Sequence, residues 1–100
     1  MLNIMKEKTG EGEMVVSLEG RLDTVTAPQL EDELKGELNG ISQLVIDAEK
    51  LEYISSAGLR VFLSTQKIMN KQGKMIVKNL SEEVREIFDI TGFLDILTVE

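Results

Sequence analysis

The sequence predicts an α/β fold in which a mixed β-sheet of about five strands is backed by three or four α-helices. Apolar segments with the two-residue period of strands alternate with segments of helical period, in the order β-β-α-β-α-β-α-β. A tight turn joins the first two predicted strands into a hairpin, whereas single helices separate the later strands and indicate parallel crossovers. One domain over residues 1–100 is long enough to bury a core.

The N-terminal hairpin is predicted from alternating apolar residues on either side of a glycine-rich turn. A short strand covers residues 2–5, Gly10–Gly12 turns the chain, and the second strand ends at Gly20. Residues 20–25 are predicted as a loop.

The first helix is predicted to begin near Thr26. Thr26 and Gln29 have the spacing of a capping box, and Pro28 lies in the first turn, where its missing N–H costs nothing. Asn39–Gly40 is predicted to end this helix.

The central strand is predicted from the continuous apolar run Leu44–Ile46, which ends at Asp47 and suits a strand covered on both faces. The second helix follows the pair Ser55 and Ser56 and runs to about Gln72–Gly73, where the glycine is predicted as its C-cap.

The second helix also carries a second apolar stripe. Val61 and Ile68 project almost opposite its main apolar side, which indicates packing against a neighbouring helix or a partner. A further strand is predicted over 74–78, a third helix from the capping residue Ser81 to Gly92, and a short terminal strand over 97–99.

The composition excludes most enzyme chemistry. The chain has no histidine and no cysteine, so it lacks the Ser-His-Asp arrangement, thiolate catalysis and the usual zinc ligands. A net charge of −7 argues against nucleic acid and anionic membranes as partners. No apolar run is long enough to insert into a bilayer, and the first residues lack the apolar core of a signal peptide. We therefore expect an acidic cytoplasmic domain.

The candidate functional residues are the two hydroxyls at the start of the second helix. Ser55 and Ser56 suit either of two roles, because a helix N-terminus accepts a capping serine and also tolerates a phosphoryl group. Asp23 and Asp47 are expected near the serine pair, at the rim of the sheet where the carboxyl ends of the strands lie. Asp23 suits either a turn or a partner contact, and Asp47 with its acidic neighbours is predicted to be solvated without a metal.

Three segments together resemble a known family. Gly20–Asp23 before a helix, Leu44–Asp47 as the central strand and Tyr53–Leu59 opening the next helix resemble the STAS domain, the sulfate-transporter and anti-sigma-factor-antagonist module. The resemblance covers essentially the whole chain in order, and it is closest to the stand-alone anti-sigma factor antagonists.

The resemblance implies a partner switch without a cofactor or catalysis by the chain itself. Such an antagonist binds an anti-sigma factor that is also a serine kinase with its own ATP, which releases a sigma factor. The kinase phosphorylates the antagonist, and a PP2C-type serine phosphatase restores it. By position before Gly58 the acceptor is Ser56, with Ser55 a second hydroxyl where the family usually has aspartate and Ala57 where many members have another serine.

The resemblance also implies a contact surface and an assembly state. The partner-binding residues are expected at this rim of the sheet and at the start of the second helix: Gly20, Asp23, Thr24, Ser55, Ser56, Ala57, Gly58, Arg60 and Val61. A monomer or weak dimer is expected. Family members often have one more helix after the last strand, so the end at Glu100 predicts an open apolar patch.

Three other functions compete with this interpretation. A phosphoacceptor receiver domain needs an acidic pair after the first strand, which is missing here. A hydrolase using Ser56 needs a base, and no lysine lies near that serine in sequence. A non-phosphorylated STAS subunit of a transporter or lipid-transport complex would share the fold and stays open as the alternative.

Overall fold

The computed structural model describes residues 1–100 as four strands and three helices. The strands are β1 (Leu2–Gly10), β2 (Glu13–Leu22), β3 (Gln43–Ile54) and β4 (Lys74–Lys78). The helices are α1 (Ala27–Lys35), α2 (Ser56–Asn70) and α3 (Glu82–Ile90). The predicted α/β fold is confirmed, with four strands in the sheet instead of about five.

The sheet has the order β1-β2-β3-β4 and is mixed. β1 and β2 form the predicted antiparallel hairpin, whereas β2 with β3 and β3 with β4 are parallel. The predicted terminal strand is reduced to one parallel bridge between Val77 and Val99. Because β2 and β3 are parallel and Leu22 pairs with Ile54, the carboxyl ends of both strands meet at one rim.

The core lies against one face of the sheet. Leu44 and Ile46 of β3 are fully buried, whereas Val45 between them is only half-buried. The prediction of a strand covered on both faces is therefore wrong, because valine suits a half-exposed pleated surface as well as a core. β3 is also longer than predicted: it continues past Asp47, through a bulge, to Ile54.

Two of the helix ends differ from the prediction. α1 ends at Lys35, because Gly36 is a poor helix former and the next turns bury Leu38 against the core instead of continuing the helix. α2 ends at Asn70, and its C-cap is Lys71 in a right-handed conformation. Gly73 is therefore no helix cap; a Cβ there would overlap the backbone oxygen of Ser42.

Aromatic contacts join α3 and the C-terminal segment to α2. The ring of Phe88 packs edge-to-face on Phe62 with 6.0 Å between centroids, and Phe93 packs on Phe88 at 6.4 Å. Near the C-terminus Leu97 is buried, while Ile90 and Ile96 are 76% and 50% exposed, so the apolar patch expected there is small.

Candidate functional site

The rim formed by the ends of β2 and β3 brings two predicted site segments together. The backbone N–H of Ser55 donates to the carbonyl oxygen of Leu22 at 2.8 Å, so the residues that follow β2 and β3 are neighbours. Asp23 and the serine pair therefore share this rim, as predicted. Asp47 does not: it lies within β3, opposite Ser17, because β3 continues beyond it.

The two serines have different environments. Ser55 is the N-cap of α2; its Oγ accepts a hydrogen bond from the backbone N–H of Gly58 at 3.4 Å, and its side chain is half-buried. Ser56 is the first residue of α2, is exposed, and its hydroxyl makes no hydrogen bond within the chain. The capping role is thus taken by Ser55, which leaves the Ser56 hydroxyl free.

Gly58 lets α2 approach the strand ends. It is buried, and a Cβ at this position would lie 2.7 Å from Cγ of Leu22 and 2.9 Å from Cγ1 of Ile54. Such contacts are far shorter than packed carbon atoms allow. We therefore assign Gly58 to positioning α2, and its contact with a partner stays a prediction.

Gly20 lies within β2, so the predicted loop of residues 20–25 begins only after Leu22. Its φ of +106° is a conformation that favours glycine, and a Cβ there would overlap the carbonyl oxygen of Met1. Backbone geometry alone therefore accounts for this glycine, and a partner contact by Gly20 stays a prediction.

Asp23 holds the loop between β2 and α1. Its Oδ1 accepts hydrogen bonds from the backbone N–H groups of Val25 and Thr26, both at 3.0 Å. The hydrogen bond from the Thr26 N–H is the main reason why the pKa of the Asp23 carboxyl lies below its usual range. The turn role weighed for Asp23 is confirmed, and its contact with a partner stays a prediction.

Thr26 is a part of this site that the sequence did not reveal. Its side chain is 7% exposed; Oγ1 donates to the carbonyl oxygen of Arg21 at 2.8 Å and accepts from the backbone N–H of Asp23 at 2.9 Å. The predicted capping box is wrong, because this hydroxyl turns back to the loop and makes no cap hydrogen bond.

We expect Thr26→Val to destabilise the protein by about 1–3 kcal/mol, because two backbone groups of a half-buried loop lose their hydrogen-bond partner. Urea unfolding followed by circular dichroism measures the change. Thr26→Ser retains the hydroxyl and is the matched control. Equal stability of the Val and Ser variants would show that the hydroxyl does not hold the loop.

A groove between α1 and α2 starts beside the serine pair. Its first part has a volume of ≈ 200 Å³ and is lined by Thr24, Ala27, Pro28, Glu31, Ala57, Arg60 and Val61. The second part, of ≈ 210 Å³, shares Glu31 and Val61 with the first and continues to Ile68. Val61 is 5% exposed and forms part of the helix–helix packing, whereas Ile68 is 43% exposed. The structure thus unites four predicted contact residues, Thr24, Ala57, Arg60 and Val61, and adds α1 as the second wall.

A second contact missed from the sequence lies where β2 and β3 approach the rim. The guanidinium of Arg21 stacks over the ring of Tyr53, with 4.4 Å from Cζ to the ring centroid. The two residues are paired across the strands, so only the parallel register could have revealed this cation–π contact.

Asp47 of β3 is engaged in hydrogen bonds within the chain. Oδ1 of Asp47 accepts hydrogen bonds from the backbone N–H of Glu49 at 3.0 Å and from Nδ2 of Asn79 at 3.1 Å. No group of three metal-ligating side chains converges in the structure. None of the helices has the length and apolar character needed to cross a membrane.

Comparison with known proteins agrees with this geometry. The sequence profile of the STAS domain matches residues 3–100. BtrV of Bordetella bronchiseptica, whose name places it among the anti-sigma factor antagonists, is 41% identical over 91 residues, which cover 89% of this chain and 78% of BtrV.

Two solved structures share the fold. An anti-sigma factor antagonist from Mycobacterium paratuberculosis superposes with a TM-score of 0.89 at 27% identity, covering 99% of this chain and 85% of the other. The Bacillus cell fate determinant SpoIIAA in its phosphorylated form gives a TM-score of 0.76 at 19% identity, covering 98% and 91%. The chain therefore belongs to the STAS domain family, and within it groups with the anti-sigma factor antagonists.

Proposed function

We propose that the protein binds an anti-sigma factor through the rim and the groove between α1 and α2, and that phosphorylation of Ser56 weakens this complex. The anti-sigma factor is the serine kinase and supplies the ATP, and a PP2C-type phosphatase removes the phosphate. Proteins of this group regulate by binding, so the chain contributes no catalytic residue and no cofactor. The switch operates in the cytoplasm, where sigma factors meet RNA polymerase.

The observation that carries the proposal is the free hydroxyl of Ser56. It is exposed, it has no hydrogen bond within the chain, and its neighbour Ala57 lines the groove. A kinase can therefore reach this hydroxyl without breaking a contact of the fold. The phosphorylated form of SpoIIAA, a protein of the same fold, adds support for a phosphate on this scaffold.

Ser55 is a poorer acceptor on the same physical grounds. Its Oγ is already the acceptor of the Gly58 N–H bond. Ser55 is also half-buried whereas Ser56 is exposed, so a kinase would have to displace the capping bond to reach the Ser55 hydroxyl. Since Ala57 has no hydroxyl, Ser56 is the acceptor that the geometry favours.

A phosphate on Ser56 acts on the surface and not on the fold. It adds about −1.5 to −2 charges at a helix N-terminus, where free N–H groups and the dipole favour an anion by about 0.3–1 kcal/mol. The domain should therefore stay folded. At the interface with a partner, the same charge disrupts packing and, next to acidic groups, causes like-charge repulsion, so it lowers the affinity of the complex.

Phosphorylation by a purified anti-sigma kinase tests this assignment. We expect incubation with the kinase and ATP to add one phosphate, which peptide mass spectrometry places on Ser56. Ser56→Ala should abolish the modification, whereas Ser55→Ala should retain it. A phosphate on Ser55, or none on either serine with a kinase that binds the chain, would contradict the proposal and favour a non-phosphorylated STAS subunit.

A further inference from the structure

The charges of the chain are unevenly distributed. Residues 53–81, which contain α2 and β4, include five of the eleven lysine and arginine residues and none of the eighteen acidic residues. The rest of the chain is therefore even more acidic than the net charge of −7 indicates. Five of the cations are thus concentrated in one segment of the chain that carries no acidic residue.

Three of these cations form a row on the exposed side of α2. Arg60, Lys67 and Lys71, here called the basic stripe, are exposed and are separated by seven and four residues, which is close to whole helical turns. The only ion pairs in the structure join Lys6 to Glu33 and Glu37. None of the three cations of the basic stripe therefore forms an ion pair with a carboxylate of the chain.

Stabilisation of the helix accounts for only two of the three cations in the basic stripe. Lys67 and Lys71 lie near the C-terminal end of α2, where cations interact favourably with the helix dipole. Arg60 lies in the second turn from the N-terminus, where the dipole gives a cation no such benefit. An exposed helix is also commonly supported by pairs of opposite charge, and α2 contains no acidic residue to form one.

The basic stripe is continuous with the proposed partner site. Ser56 lies one helical turn before Arg60, and Arg60 lines the groove between α1 and α2. At this i, i+4 spacing a phosphate on Ser56 can pair with the guanidinium of Arg60. Its charge of about −1.5 to −2 would offset much of the positive charge of the stripe.

We propose that the basic stripe docks on an acidic surface of the anti-sigma factor, and that phosphate on Ser56 cancels this attraction. The inference rests on the proposed function and adds the chemistry of the partner's contact surface. An acidic protein would be repelled by an acidic partner at long range. The basic stripe therefore also orients the domain, because only this side is attracted to the anti-sigma factor. The stripe steers association, and the phosphate removes the steering.

The experiment compares two double variants that change net charge equally. Lys67→Glu with Lys71→Glu reverses two thirds of the stripe, whereas Lys8→Glu with Arg85→Glu reverses exposed cations on β1 and α3. Association with the purified anti-sigma kinase is followed by stopped-flow fluorescence. We expect the stripe variant to associate about tenfold more slowly than wild type, and the control to stay within about twofold.

Salt dependence provides the second readout. Between about 0.1 M and about 1 M NaCl the Debye length falls from about 10 Å to about 3 Å. The association rate of wild type and control should fall across this range, while that of the stripe variant and of the phosphorylated protein should stay level or rise, because salt then screens the repulsion between two acidic proteins. Equal slowing of both double variants, or a stripe variant as fast as wild type, would overturn the proposal.

The outcomes separate this inference from the proposed function. If the kinase binds wild type and phosphorylates Ser56 but the stripe variant associates normally, only the stripe is wrong. If no anti-sigma kinase binds wild type, the proposed function fails and the inference with it. Should the stripe variant lose helicity by circular dichroism, Lys67→Gln with Lys71→Gln replaces it, and an unchanged association rate for that variant is again a contradiction.

Discussion

Ser56→Asp is expected to weaken the complex with the anti-sigma factor by at least about a hundredfold, which corresponds to about 3 kcal/mol. The substitution places a permanent negative charge on the first residue of α2, beside the groove and the basic stripe. The helix N-terminus stabilises the new carboxylate, so thermal unfolding should stay close to that of wild type. Isothermal titration calorimetry with the purified anti-sigma factor measures the loss.

Two controls isolate the position of the charge. Thr9→Asp adds the same charge to an exposed residue of β1 at the opposite end of the sheet and should leave binding unchanged. Ser56→Ala removes the hydroxyl without adding charge and should bind like wild type. Tight binding by Ser56→Asp, with both controls also tight, would remove Ser56 from the switch.

Gly58→Ala is expected to lower the free energy of unfolding by about 1–3 kcal/mol, because the new methyl group overpacks the contact between α2 and the strand ends. The groups it meets, Cγ of Leu22 and Cγ1 of Ile54, belong to side chains that are almost completely buried and cannot move aside easily. The better helix propensity of alanine, at most about 1 kcal/mol, offsets only part of this cost. Guanidinium unfolding measures the difference.

A double-mutant cycle shows whether overpacking is the cause. Leu22→Ala opens space beneath Gly58, so the double variant should be more stable than the sum of the two single changes predicts, by about 1 kcal/mol. Strict additivity would mean that the methyl group added by Gly58→Ala does not meet the Leu22 side chain. Ala57→Ser, a change at the half-buried neighbour, controls for substitution in the first turn and should change stability little.

The order of the elements could be predicted because each depends on local periodicity. The end of β3 could not, because its last seven residues mix charged side chains with the buried Ala48, Leu51 and Ile54, whose spacing of three follows no two-residue alternation. The bulge opposite β2 shifts the register there, and a register shift is a property of two strands together. The position of Asp47 was therefore predicted wrongly along with the strand end.

The site was predictable to the extent that it follows from chain order. The sequence predicts Ser55 and Ser56 at the start of a helix, but it cannot tell which hydroxyl makes the cap, because the two residues are of the same type and cap equally well. The sequence predicts that the Thr26 hydroxyl caps its own helix, whereas its hydrogen bonds run back to Arg21 and Asp23. The second wall of the groove could not be predicted, because it arises from the packing of α1 on α2, which no local sequence pattern describes.

The separation of Ser55 from Ser56 has a consequence for the speed of regulation. Ser55 caps the helix, and Ser56 carries the hydroxyl that is modified. A phosphate on Ser56 can therefore change partner binding without a rearrangement of the fold. Because the fold does not change, no conformational step limits the rate of the response. We expect the response time of this protein to be set by the enzymes that add and remove the phosphate and by dissociation of the complex.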